Sequence, residues 1–174
     1  MPITTSSATV EEKIFEVIVE GGLSGYLQQV RNGKHEFAVD EPVEKRGTDR
    51  GPSPYALLMA SLGACTSMTI AYHAQREKFP IERIVVKLSH RKINRADCPE
   101  CSSKEGRVDV FEREIEVRGT LTEQQRQQVI SFAERCPVHR TLTSGSVVRT
   151  KLAQCVLFSE RHGYGFCRLR QAAL

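Results

Sequence analysis

Six cysteines, Cys65, Cys98, Cys101, Cys136, Cys155 and Cys167, are the residues of this 174-residue chain best equipped for chemistry. A chain of this length can bury a core without disulfides or metal, so each thiol needs its own explanation. No basic stretch followed by an apolar one opens the sequence, which points to a reducing compartment. There, cysteines are catalytic, metal-binding or core residues more often than structural bridges. The expectation is a soluble, cytoplasmic protein.

Cys65 sits in the middle of Gly51–Gln75, a stretch with no residue charged at neutral pH in a chain that is 26% charged. Ser53 suits a helix N-cap and Pro54 the first helical position, so a helix starts there. Leu57, Leu58, Met59, Leu62, Met68, Ile70 and Tyr72 fall all round it, the pattern of a helix buried on every side. Small residues from Ala60 to Ser67 keep its centre thin. The run is about the ~20 residues a bilayer requires, but its prolines, serines, threonines and histidine make it too polar for a span. Read alone, Cys65 is a small apolar core residue before it is a nucleophile. His73 is no base for it, because eight residues of helix separate the two by roughly 12 Å.

Cys136 follows a second helix. Thr122 and Gln125 have capping-box spacing, and Val129, Ile130, Phe132 and Ala133 form a buried stripe that extends to Cys136. Pro137 ends this helix and can start a short one with Cys136 as its cap. The free N–H groups at such a position favour a thiolate.

Cys98-Pro99-Glu100-Cys101 has half the spacing of a zinc site, which His90, Cys155 or Cys167 would have to complete. A redox pair and a loop with incidental thiols are the other readings. Arg83 to Arg107 carries a basic excess (Lys87, Arg91, Lys92, Arg95, Lys104) with no interleaved aromatic residues, a solvated strand face rather than a nucleic-acid groove. The net charge of +4 agrees.

The remaining elements frame these residues. Met1–Glu12 is an unpatterned, flexible terminus, and 13–158 reads as a single domain. Lys13–Glu20, Tyr26–Arg31 and Lys34–Asp40 read as a three-stranded meander, the last two joined at Asn32-Gly33. Pro42–Pro52 is an irregular loop. Ile84, Val86 and Leu88 mark a strand after Pro80, and Val108–Val117 another, with Phe111, Ile115, Val117 and Arg113 on one face. Ser146–Phe158 reads as a final strand, while residues 159–174 form a tail without a period.

Taken together, GTDRGPSPYALLMASLGACTSMTIAYHAQREKFP, DCPEC, REIEVRGTLTEQQRQQV and CPVHRTL resemble the OsmC/Ohr family, the osmotically inducible and organic hydroperoxide resistance proteins. The resemblance covers roughly Gly21–Thr150 and is nearest the branch with the DCPEC loop. It implies an α+β fold in which antiparallel sheets wrap around long central helices in an intertwined homodimer. It also implies a thiol-dependent peroxidase of organic hydroperoxides, with Cys65 peroxidatic and Cys136 resolving, an external dithiol reductant and no cofactor or metal. Neither nucleic acid nor membrane enters this reading. The family's arginine and glutamate positions fall here on Leu23 and Tyr55. Arg50, Arg113 and Arg140 are candidates to replace the arginine, and the Tyr55 hydroxyl to orient a peroxide. The other reading is a non-enzymatic member of the fold that binds a small apolar ligand or senses oxidants through the same cysteine pair. In a third, the cysteines merely pack.

Overall fold

The computed structural model describes residues 16–101 and 105–152. The expectations for the N-terminus, the tail, Lys104, Cys155 and Cys167 lie outside them. An antiparallel meander opens the fold: β1 (Ile18–Gly21), β2 (Gln28–Asn32) and β3 (His35–Val39). Asn32 pairs with His35, so the two turn residues are Gly33 and Lys34. Gly33, at φ +58°, takes the positive angle such a turn asks of its first position.

Asp40, 1% exposed, organises the loop after β3. Its carboxylate accepts from the backbone N–H groups of Glu41 (2.8 Å), Thr48 (2.9 Å) and Arg50 (3.3 Å), and from the Thr48 hydroxyl (2.6 Å). The loop is thereby folded back on β3, where a Cβ at Gly51 would collide with the carbonyl of Ala38. It delivers the chain to α1 (Pro54–Arg76), whose Ser53 hydroxyl accepts from the Ala56 N–H. The helix ends in a Schellman motif: Phe79 N–H donates to Ala74 O (2.8 Å) and Lys78 N–H to Gln75 O (3.2 Å). Lys78 holds the left-handed position at φ +56°.

Two long strands, β4 (Ile81–Asn94) and β5 (Arg107–Gly119), form an antiparallel hairpin against which α1 packs. Gly63 makes the approach close, since a Cβ there would lie 2.7 Å from the Leu88 side chain. Three basic residues of the hairpin are paired across its ladder: Lys87 with Glu114 (3.7 Å), Arg91 with Glu112 (2.8 Å) and Lys92 with Asp109 (3.3 Å). These exposed pairs offset local charge and add little stability. The capping box forms at Thr122 and Gln125, opening α2 (Glu123–Glu134), and α3 (Pro137–Thr143) follows. Ile70, Val129, Phe132 and Ala133 make the core, with Phe79, Ile81, Ile84, Ile115, Val117 and Leu121 packed around it.

Three expectations are corrected. Helix α1 is not buried on every side within one chain: it buries Leu62, Gly63, Thr66, Ile70 and Ala74, a single stripe, while Met68 is 71% and Tyr72 55% exposed. One sheet and one helix cover only the faces they touch. It is also long and apolar enough to cross a membrane by length and composition. Ile130 turns outward from the α2 stripe, one position off the face that holds Val129 and Phe132. Of the expected strand Ser146–Phe158, residues 146–152 form none and the rest lies outside the described residues; they belong to a second compact unit, Thr141–Leu174. There the Ser146 hydroxyl donates to Thr141 O (3.1 Å), and Val147, Val148 and Leu152 are exposed. β-branched residues such as Val147, Val148 and Thr150 become a strand only with a ladder partner, and none pairs with them among the described residues.

Candidate active site

Cys65 and Cys136 meet. Cys65 lies midway along α1, on the side facing the junction of α2 and α3, and Cys136 fills that junction at 0% exposure. The α2 stripe carries Cys136 inward, because Val129, Phe132 and Ala133 pin its helix against α1. Pro137 then turns the chain into α3, whose Arg140 N–H donates to Cys136 O (3.1 Å). The two thiols are neighbours, so the charge on one bears on the ionisation of the other.

Their environments differ. Burial pushes the Cys65 thiol up, as does the neighbouring Cys136 sulfur, against hydrogen bonds from the Val138 N–H and Thr69. Burial also opposes ionisation of Cys136, but the His139 N–H, the Cys65 thiol, the Thr66 hydroxyl and the Val138 N–H together hold it below the ordinary thiol value. The first negative charge of the pair is thus favoured at the start of α3, on Cys136, with the Cys65 thiol as one of the groups that stabilise it.

Arg113 stands behind this pair. It shares the inward face of β5 as the sequence predicts, and its Nη1 donates to Thr66 Oγ1 (2.9 Å) and Ala133 O (3.3 Å). Thr66, itself fully buried, has one hydroxyl proton, which the Leu62 carbonyl (2.7 Å) and the Cys136 sulfur share. A thiolate is the stronger acceptor of the two, so ionisation draws that proton toward Cys136.

Only Cys65 faces outward. It lines an apolar cleft of about 560 Å³ with Ser61, Ala64, Met68, Thr69, Tyr72, Arg135, Pro137 and Val138. Arg135 brings a positive charge to this wall, its guanidinium 5.6 Å from the Phe132 ring centre. The sequence reading missed Arg135, although its place immediately before Cys136 was the available signal.

The other candidates lie elsewhere. Leu23 is fully exposed in the turn between β1 and β2. Tyr55 stacks on His90 (4.4 Å), which stacks in turn on Phe111 (4.7 Å), and the Lys92 ammonium lies 5.8 Å from the Tyr55 ring centre. Arg50 belongs to the Asp40 loop, and Arg140 is an exposed residue of α3. Neither they nor Leu23 and Tyr55 line the Cys65 cleft. His73 packs on Phe132 (5.0 Å). Cys98 and Cys101 form a disulfide, and His90 is held by Asp109 (2.8 Å) rather than turned toward them.

Comparison with known proteins agrees with this architecture. Residues 47–151 match the family model described as OsmC-like protein. No curated protein matches the sequence. Among solved structures, an OsmC-like protein from Mycoplasma pneumoniae superposes with a TM-score of 0.59 at 20% identity, over 75% of this chain and 88% of its own. An organic hydroperoxide resistance protein from Elizabethkingia anophelis gives 0.59 at 19%, over 78% and 91%. An organic hydroperoxide resistance protein from Legionella pneumophila gives 0.56 at 17%, over 75% and 90%. With a family match over more than half its length and the α+β fold of those proteins, the chain belongs to the OsmC-like family.

Proposed function

We propose that this protein is a cytoplasmic thiol peroxidase that reduces organic hydroperoxides through Cys65, with Cys136 as the resolving thiol. The observation that carries the reading is the contact between an outward-facing cysteine in an apolar cleft and a buried cysteine whose anion is stabilised.

The chemistry follows from the protonation of the pair. When the proton of the pair sits on Cys136, Cys65 is the thiolate. It attacks the terminal peroxide oxygen, the O–O bond breaks, and Cys65 becomes a sulfenic acid as the alkoxide leaves. The alkoxide takes the Cys136 proton and departs as the alcohol. Cys136, now a thiolate, attacks the Cys65 sulfur and expels hydroxide, which becomes water on gaining the proton of the medium. An external dithiol reopens the disulfide. Arg135 is placed to steady the departing alkoxide, and the apolar lining favours an alkyl or aryl hydroperoxide over hydrogen peroxide.

The working form is a homodimer in this reading. Met68 and Tyr72 on α1 and Val17, Val19 and Phe37 on the meander are apolar and exposed in one chain, and a second copy would cover them. The cleft would then be closed by the partner.

Consumption of cumene hydroperoxide with excess dithiothreitol tests the function. Many turnovers by the native chain and none by Cys65→Ser are expected. A native chain that oxidises once and stops is a sensor, and one that binds apolar compounds without oxidation is a carrier; either result overturns the peroxidase.

A further inference from the structure

The peroxide chemistry leaves Cys98 and Cys101 unused, yet the fold joins them. They occupy the loop between β4 and β5, in a turn where Cys101 N–H donates to Cys98 O (3.3 Å) and Pro99 takes the corner it favours. The loop is fastened from beneath by Arg95 N–H on Gly106 O (2.9 Å) and Cys98 N–H on Arg95 O (3.1 Å). Backbone hydrogen bonds, which do not depend on the S–S bond, therefore also hold the two sulfurs together.

A structural staple is a poor explanation for such a bond. Cross-links stabilise by restricting the unfolded chain, and the gain grows with the loop they close. Here only Pro99 and Glu100 are enclosed, while the chain has a core of its own. Among the described residues, no group of three or more potential metal ligands surrounds the pair.

The two sulfurs are also unequal. Cys98 is 6% exposed and Cys101 half-buried, with Pro99 and Glu100 exposed beside them. A Glu100 carboxylate oxygen lies 3.6 Å from the Cys98 sulfur. In the reduced pair that carboxylate accepts the Cys98 S–H and disfavours a second anion there. Cys101 is consequently the sulfur open to exchange, the one that solvent can reach.

We propose that Cys98 and Cys101 form a second thiol–disulfide couple, independent of Cys65 and Cys136, that exchanges through Cys101 with a low-molecular-weight disulfide. The Cys101 thiolate attacks one sulfur of the disulfide RSSR, forming Cys101–S–S–R and releasing RS⁻. Cys98 then gives its proton to solvent and attacks the Cys101 sulfur, expelling a second RS⁻. The pair is oxidised, one RSSR is reduced to two thiols, and the reverse sequence restores the dithiol.

The test equilibrates the full chain with glutathione buffers of graded composition, traps free thiols by alkylation, and weighs the peptide carrying both cysteines. Dithiol and disulfide forms should interconvert, their ratio changing tenfold for each tenfold change in the quotient of squared reduced glutathione over oxidised glutathione. In Cys98→Ser, Cys101 should acquire a glutathione mixed disulfide at least ten times faster than Cys98 does in Cys101→Ser. A pair that stays oxidised in excess dithiothreitol, one reduced in every buffer, zinc bound by both thiols, or equal rates in the two variants would each overturn the proposal. The native titration stands even if a variant fails to fold. It is also blind to peroxide, so it can succeed where the peroxidase reading fails.

Discussion

The guanidinium of Arg113 approaches Cys136 through a single hydroxyl: Arg113 Nη1 donates to Thr66 Oγ1 at 2.9 Å, and that hydroxyl favours the Cys136 anion. Cation, hydroxyl and thiol form one relay across β5, α1 and the α2–α3 junction. Replacing Arg113 by methionine keeps the bulk and removes the charge. A hydrogen bond to a charged group contributes about 1.5–3 kcal/mol, so the thiol pair of Arg113→Met should lose its first proton at higher pH and alkylate roughly tenfold more slowly at neutral pH. Alkylation rate against pH checks this, and an unchanged profile would remove Arg113 from the site.

Arg135 should act on substrate rather than on the thiols. Arg135→Ala is expected to lower kcat/KM for an organic hydroperoxide by about tenfold, below the ~10²–10³ seen for buried donors because this guanidinium is exposed. The alkylation profile of the pair should stay where it is. Steady-state kinetics beside that profile separates the two arginines.

Asp40 ties the fold to pH. Its hydrogen bonds, that from the Thr48 hydroxyl foremost, hold the folded carboxyl below its ordinary value of 3.8. A depressed folded value means the stabilisation is fully present above the unfolded pKa and is lost as pH falls through the folded one. Thermal unfolding should show the native chain weakening below about pH 4. Asp40→Asn should have a lower Tm at neutral pH and lose part of this acid dependence.

Met68, 71% exposed on α1, tests the homodimer. In a monomer Met68→Lys would be a surface change worth no more than about 0.5 kcal/mol. In a dimer it buries a charge, so sedimentation should show the mass halving at concentrations where the native chain stays paired. A native chain that sediments as a monomer would contradict the assembly directly.

How much of this was legible beforehand varied with the range of the physics. Local rules placed the Ser53 cap, the Thr122–Gln125 capping box and the inward face of Arg113, because each depends on neighbours in sequence. The meeting of Cys65 and Cys136 joins distant segments, and only the family resemblance pointed to it. Asp40 escaped notice since its partners, Thr48 and Arg50, approach it only after the loop has closed. The apolar residues around α1 were read as burial, yet a single chain supplies neighbours for one stripe alone. The expected strand Ser146–Phe158 shows the same limit: over its described residues, 146–152, strand-forming side chains have no ladder to join.

The most direct test of the central claim is to treat the reduced chain with one equivalent of cumene hydroperoxide, then map its disulfides by mass spectrometry and count the alcohol released. A Cys65–Cys136 disulfide with one cumyl alcohol per bond is the predicted result. Alcohol formation with Cys65 still reduced, or peroxide left intact beside two free thiols, would contradict it.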